Sequence, residues 1–488
     1  MNHTPEQLAI FDEVANPTAP VLSIKATAGS GKSSTLVESI DRISDQNQSI
    51  TYLVFGQMAA AEAKLNFGNN AYVATFNAFA YRAVVKQCGL STNIAPFLTW
   101  RDIPKSIRRP FGTDFDILQL IEGFCKSPYL SMDDYVANDT ENVHYSIIQP
   151  AKLMFKHMQS GKSRITHSFY TKIFHILLMQ DKLTIAPIDK LLVDEFQDMT
   201  ELAVQVLQKL PAKQKVFVGD SCQAVFNFLG LVDGFEFFPD AKTLHLTKSF
   251  RVHKLFAPAI QYFLRKHLEP DAQFIGMDYP TDYPDDGSTA YLCRTNMSII
   301  NHMIKCDEQG KPYSLGHDAK LAQMFKLPLA LIYAKPGFVQ RDPDLKHIQA
   351  DIDDWAKLPE HVRQSTSKLS YLLEANPDDA RIKQAATLIG SVGPEAIVAT
   401  YQSAESHKQS NCNYQILSCH NSKGMTTLHT ILDDDVDAAI EDLLDKPRDL
   451  LEPEEIAELN LYFVACTRHR LSITNAKYLD ELMGVTND

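Results

Sequence analysis

The stretch LSIKATAGSGKSSTLVESI, Leu22 to Ile40, constrains the fold more than any other part of the chain. "PVLSIKA" is a short apolar run ending in small residues, Gly29 and Gly31 flank Ser30, and Leu36, Val37, Ile40 and Ile43 recur at helical spacing after Lys32. The order is strand, glycine loop, helix. It gathers backbone N–H groups and a helix N-terminus at one point, where they hold phosphate, while Lys32 adds a positive charge and the Ser33 hydroxyl can ligate Mg²⁺. The usual pattern, GxxxxGK[ST], has glycine six positions before the lysine; Ala26 stands there instead.

A second GKS, Gly161 to Ser163, follows "AKLMFKHMQS", an amphipathic helical pattern, and reads as a helix C-terminus with glycine at the cap. We take it as structural. The first loop gains from "IDKLLVDEFQD", where Leu191 to Val193 read as a buried strand delivering Asp194 as a carboxylate for Mg²⁺ and Glu195 as a candidate base. Acids at a strand end are common on their own. Paired with a phosphate loop, they point to nucleotide hydrolysis.

With 488 residues the chain has room for roughly three domains. The start "MNHTPEQLAIFDEVA" has no basic segment leading into an apolar one, and no run of about 18 apolar residues occurs, so neither secretion nor a membrane is expected and the cytoplasm is the default. Eight cysteines without a CxxC pair argue against zinc or an iron–sulfur cluster and for reduced, structural thiols. A net charge of −13 argues against coating nucleic acid by bulk attraction but leaves room for a local groove. The acidic runs "LDDDVDAAIEDLLD" and "LLEPEEIAEL" read as solvated helix faces.

At "VDEFQD" the chain resembles superfamily 1 helicases of the UvrD, Rep and PcrA type, whose second motif has the form DExQD. Other motifs follow in order: "TPEQLAIF" resembles the adenine-reading Q motif, "ATAGSGKSS" the AxAGxGK[ST] loop, "YLVFGQMAAAEAK" motif Ia and "VATFNAFAYRAV" the TFHSFA segment. "VFVGDSCQAVFNFLGL" resembles motif III, "LTKSFRV" motif IV, "AYLCRTN" the segment after it, "ILSCHNSKGM" motif V and "NLYFVACTRHRLSI" motif VI. Within the family, "SFR", "LCRTN" and "LDDD" are most similar to the F-box DNA helicases and their short UvrD-like relatives. No F-box segment is expected, since the motor motifs begin at Gln7, and no ubiquitin-ligase role is carried over.

The resemblance implies an α/β fold of two RecA-like parallel-sheet domains with ATP in a cleft between them. Domain 1A would take residues 1–87 and 188–250, with a helical 1B-like insertion over 88–187. Domain 2A would take 251–310 and 400–488, with a reduced 2B-like insertion over 311–399. The residues agree: "VLSIK", "TYLVF", "KLLVDE" and "KVFVGD" read as parallel strands in the first half, and "TAYLCR", "YQILSC", "LHTILD" and "LSITN" in the second.

By resemblance, Lys32 binds the β and γ phosphates, Ser33 and Asp194 hold Mg²⁺, Glu195 activates water, Gln223 senses the γ-phosphate, and Arg251 and Arg468 are arginine fingers. The nucleotide set is Gln7, Ala26, Thr27, Ala28, Gly29, Ser30, Gly31, Lys32, Ser33 and Ser34, with Phe250 stacking on adenine. Contact with DNA rests on aromatics, because any π-face can stack a base of a single strand. Phe55 and Phe228 fall on stacking positions, and Thr75, Phe76, Asn77, Phe226 and His420 lie in segments lining the DNA track.

Several positions depart from the family pattern: Thr426 replaces the motif V glutamate, Asn421 and Met58 replace lysines, Asn77 replaces histidine and Leu229 replaces arginine. The hydrolytic set is complete. The expectation is an ATP-driven, 3′ to 5′ enzyme on single-stranded DNA and strand junctions, associated with the nucleoid and serving repair, recombination or replication. One alternative is a translocase that strips a recombinase or other protein from DNA with little unwinding. The other is a nucleotide-switched DNA-binding module.

Overall fold

The computed structural model describes residues 3–487 apart from 44–46, 89–92, 109–112, 141–142, 281, 317–318, 338–344, 378 and 409–411. The chain divides into two units, Met1–Phe250 and Arg251–Asp488.

In the first unit the apolar run of the glycine-loop segment forms β1 (Val21–Ala26), joined by β2 (Ile50–Val54), β3 (Tyr72–Thr75), β4 (Ile188–Val193), β5 (Ala212–Gly219) and β6 (Lys242–Leu246). The sheet order is β3-β2-β4-β5-β1-β6, with every pairing parallel. Parallel strands need long crossovers that cover both faces, which is why the central strands are near-continuous apolar runs. In β4, Leu191 and Val193 join one core cluster while Leu192 joins the cluster on the opposite face. Each fully buried aliphatic side chain contributes about 1.5–3 kcal/mol.

Between β3 and β4 the chain is helical, with helices Thr113–Lys126, Met132–Asp139, Tyr145–Gln159 and His167–Met179 packing into the first of those clusters. The second GKS lies here. Gly161 has φ 72°, its N–H donates to Met158 O, and the Lys162 N–H donates to His157 O. That 6→1 and 5→2 pair is a Schellman cap, so this glycine serves the end of helix Tyr145–Gln159, as its sequence context indicates.

The second unit begins within β7 (Lys248–His253), which straddles the division and pairs with β8 (Ile275–Met277). Its main sheet contains β9 (Thr289–Cys293), β10 (Ser314–Leu315), β11 (Tyr414–Ser418), β12 (Thr427–Leu432) and β13 (His469–Thr474), in the order β10-β11-β9-β12-β13 and parallel throughout. Helices from Leu321 to Lys408 intervene between β10 and β11; some pack on the sheet cluster, and others enclose a smaller core of Leu331, Ile348, Ile352, Leu372 and Ile382.

The first acidic run is a solvated face only in part: Asp434, Glu441, Asp442 and Asp445 are exposed, but Asp433, Asp435 and Asp437 are not. Asp433 accepts from Tyr291 Oη, Asp435 accepts from the backbone N–H groups of Arg294 and Thr295, and Asp437 accepts from Tyr462 Oη and the N–H groups of Lys477 and Tyr478. Carboxylates that satisfy buried N–H and hydroxyl donors tie a loop down, and charge density in the letters does not distinguish that role from solvation. In the second run Glu452 and Glu454 are exposed, as a solvated face requires, and the burial of helix Pro453–Cys466 begins only at Leu459.

Among the described residues no helix is long and apolar enough to cross a membrane, and no group of three or more His, Cys, Asp or Glu is placed to hold a metal ion. Seven cysteines whose side chains are described form no disulfide, and six of them are buried.

Candidate functional site

β1 ends at Ala26, and the loop that follows leads into helix Lys32–Asp41. Ala26 and Ala28 are buried and neither has positive φ, so a Cβ is tolerated at the position where glycine was missing. Gly29 and Gly31 do adopt positive φ, 72° and 76°, which is where a side chain would be strained. The loop is pinned by Thr27 N–H to Leu246 O (2.9 Å) and Ser30 N–H to Thr27 O (3.2 Å). Phe250 N–H donates to Gly29 O at 2.8 Å, and the Phe250 ring lies 3.7 Å from where a Gly31 Cβ would stand. No side chain caps helix Lys32–Asp41, so the loop presents its N-terminal dipole uncapped. Ser30 Oγ is buried without a hydrogen-bond partner.

Lys32 Nζ lies 3.3 Å from Glu195 Oε1. Burial works against its charge, but Glu195, Asp194 and Asp220 outweigh that and hold the ammonium above its ordinary pKa. Asp194 follows β4 and accepts from Ser33 Oγ (3.0 Å), Tyr52 Oη (2.7 Å) and the Glu195 N–H (2.9 Å). Burial, with the adjacent Glu195 charge, pushes its carboxyl above the usual range against the pull of Lys32. The hydroxyl and carboxylate of Ser33 and Asp194 form an all-oxygen pair, the donor type that suits Mg²⁺, and a cation there would favour the ionised carboxylate. Glu195 itself has φ 54°, rare for a non-glycine residue.

Three residues given no role from the sequence complete this cluster, one of them, Gln197, being the glutamine of the DExQD pattern. Gln197, fully buried, donates from Nε2 to Glu195 Oε2 (2.5 Å) and accepts from the Asp220 N–H (3.0 Å), joining the loop after β4 to the loop after β5. Asp220 accepts from Gln223 Nε2 at 2.6 Å, and burial pushes its carboxyl up to about 6. Tyr52 reaches Asp194 because β2 and β4 are neighbours, with Tyr52 opposite Leu192. Only sheet order exposes that contact.

Gln7 is buried in a capping box with Thr4 and donates to Thr35 Oγ1 of the loop helix at 3.2 Å. Ser34 is exposed on that helix. Of the aromatic set, Phe55 (40% exposed) stacks on Phe76 at 5.5 Å and 18°, and Phe76 is itself buried (4%). Phe228 is 66% exposed, with Phe226 6.4 Å away. Thr75 Oγ1 accepts from the Ala78 N–H, and Asn77 Oδ1 accepts from Thr171 Oγ1.

In the second unit, Arg251 Nη1 donates to Thr467 O at 3.3 Å, and the buried Arg468 donates from Nη2 to Thr467 Oγ1 at 2.9 Å and from Nε to Val464 O at 2.7 Å. Both arginines therefore converge on Thr467, a residue the motifs did not single out. His420 follows β11 and is half-buried; burial, with Arg294 nearby, lowers its pKa to about 4 and keeps it neutral.

Residues 7–229 match the family described as the AAA domain. The stretch holds β1 to β5, the glycine loop and the carboxylates, and it is an AAA-type P-loop domain. The chain is also similar to F-box DNA helicase 1 of Gallus gallus, 23% identical over 518 residues that cover 96% of this chain and 48% of the relative. F-box DNA helicase protein 1 of Schizosaccharomyces pombe is 24% identical over 537 residues, covering 95% and 56%. The chain spans about half the length of the curated relatives it matches.

Proposed function

We propose that the protein hydrolyses ATP to move along single-stranded DNA, separating strands as it goes, with 3′ to 5′ polarity. The observation that carries this reading is the convergence of Lys32, Ser33, Asp194 and Glu195 at the mouth of one glycine loop. In this reading Lys32 and the loop N–H groups bind the phosphates, and Glu195 takes a proton from the attacking water. Arg251 and Arg468 stabilise charge spreading over the transferred phosphoryl group, an effect worth about 10³–10⁵ in rate for such a finger. Ser33 and Asp194 would hold Mg²⁺, which when bound neutralises phosphate charge. The similarity to two proteins named DNA helicases supports DNA as the track, and the exposed rings of Phe55 and Phe228 supply stacking faces.

We assign residues 1–87 and 188–250 to a RecA-like domain 1A, 88–187 to a 1B-like insertion, 251–310 and 400–488 to domain 2A, and 311–399 to a reduced 2B-like insertion. The departures at Thr426, Asn421 and Leu229 favour a second reading, a translocase that displaces bound protein more readily than it separates duplex. Strand separation measured beside ATP-driven displacement of a DNA-bound recombinase divides the two. ATP turnover measured with single-stranded DNA, duplex and RNA tests the shared premise: strongest stimulation by single-stranded DNA is expected, and no stimulation by any of them overturns it.

A further inference from the structure

Asp194 is held by three donors that are not equivalent. Its Oδ2 accepts from Ser33 Oγ at 3.0 Å and from Tyr52 Oη at 2.7 Å, and its Oδ1 accepts from the Glu195 N–H at 2.9 Å. Ser33 is itself a proposed metal ligand, and the Glu195 N–H belongs to the residue proposed to take a proton from water. Tyr52 does neither. It comes from β2, the strand beside β4, and its place opposite Leu192 is set by backbone pairing.

The Tyr52 side chain is 1% exposed, belongs to the same core cluster as Leu192, and packs on the Phe67 ring at 4.6 Å and 44°. Close packing of that ring fixes where its hydroxyl stands, and neither phenylalanine nor an aliphatic residue in its place would bring a donor. Hydrogen bonds from groups behind a metal ligand orient the ligand, and removing one typically costs about 10–100-fold in metal affinity or activity. A serine hydroxyl has one proton and two lone pairs. Whether Ser33 keeps its bond to Asp194 or turns its oxygen to a cation, Tyr52 Oη holds Oδ2 in the same place.

We infer that Tyr52 is a positioning residue of the metal site, holding the Asp194 carboxylate in the orientation that Mg²⁺ bound with its nucleotide requires. The inference rests on the ATP reading of the glycine loop and adds to it a residue that lies outside both the loop and the DExQD segment.

Tyr52→Phe removes the hydroxyl and keeps the ring. In the full chain, Mn²⁺, a paramagnetic stand-in for Mg²⁺, is titrated by EPR in the presence of a non-hydrolysable ATP analogue, and binding of the analogue is measured separately in EDTA. Mn²⁺ affinity is expected to fall about tenfold or more in the variant while binding in EDTA stays within about twofold, and turnover lost at low Mg²⁺ is expected to return as Mg²⁺ is raised. Tyr52→Leu, which also removes the ring, is expected to unfold at lower urea than Tyr52→Phe and yet to bind Mn²⁺ no more weakly. Mn²⁺ affinity in Tyr52→Phe within about twofold of the unmodified protein, or affinity that falls in step with stability across the two variants, overturns the inference and leaves the ATP reading standing. Failure of the unmodified protein to bind Mn²⁺ with the analogue overturns both.

Discussion

Lys32 Nζ and Glu195 Oε1 stand 3.3 Å apart although 163 positions separate them in the chain, and Gln197 holds the other Glu195 oxygen. The lysine proposed to bind phosphate is thus in contact with the proposed base. Glu195→Gln keeps the shape and the hydrogen bond to residue 197 but cannot accept a proton from water. Steady-state turnover should fall by about 10²–10⁴, while binding of a fluorescent ATP analogue stays at or above the unmodified level. Unchanged turnover would remove Glu195 from the chemistry.

The two GKS segments are predicted to behave oppositely. Lys32→Ala should abolish ATP turnover and weaken nucleotide binding, whereas Lys162→Ala should leave both within twofold. Gly161→Ala, at φ 72°, should cost about 1–2 kcal/mol of stability in urea unfolding through strain at the helix cap, with turnover intact in the folded fraction. Loss of turnover in Lys162→Ala would contradict the assignment of that segment to a Schellman cap alone.

Asp220 gives the site a pH dependence. Its native pKa, raised by burial from 3.8 to about 6, means the folded protein holds this proton more tightly than the unfolded chain does. The stability it contributes is full below about pH 4 and falls as pH rises through 6, by an amount of order 3 kcal/mol. Activity runs the other way, because the ionised carboxylate is the better acceptor for Gln223. Turnover is expected to decline below about pH 6, and Asp220→Asn to lack that acid limb; an identical limb in the variant would assign it to another group.

Phe228 and Phe76 separate stacking platform from support. Phe228→Ala, at a position 66% exposed, should cost little stability but weaken single-strand binding by about 1–3 kcal/mol in a fluorescence titration. Phe76→Ala removes a buried ring from the core beneath Phe55 and should destabilise the fold by about 3–5 kcal/mol. Equal effects of the two on binding and stability would mean that Phe228 is packing and not a platform.

The central strands of both sheets are legible in the letters because parallel strands covered on both faces become unbroken apolar runs, as in "KLLVD" and "VFVGD". The edge strand β6, Lys242–Leu246, is not: four of its five side chains lie at or near the surface, and the run "KTLHL" carries no continuous apolar signal. The same contrast divides the site. Lys32, Ser33, Asp194 and Glu195 follow from motif chemistry that fixes residue type and local spacing. Tyr52, Asp220 and Thr467 act through contacts created by sheet order or helix ends, and a lone tyrosine or threonine in a strand or helix has no local mark of that role. Asp433, Asp435 and Asp437 have no local mark of their role for the same reason, since their partners Tyr291, Arg294 and Tyr478 are remote in sequence.

The most direct test of the account is ATP turnover by the full chain with Mg²⁺, with and without a single-stranded oligonucleotide, beside Glu195→Gln under the same conditions. The account predicts turnover that rises about tenfold or more on adding the strand, up to the 10³–10⁵ attributed to an arginine finger, and that is absent from the variant with or without DNA. Turnover indifferent to the strand, or surviving in Glu195→Gln, would contradict it.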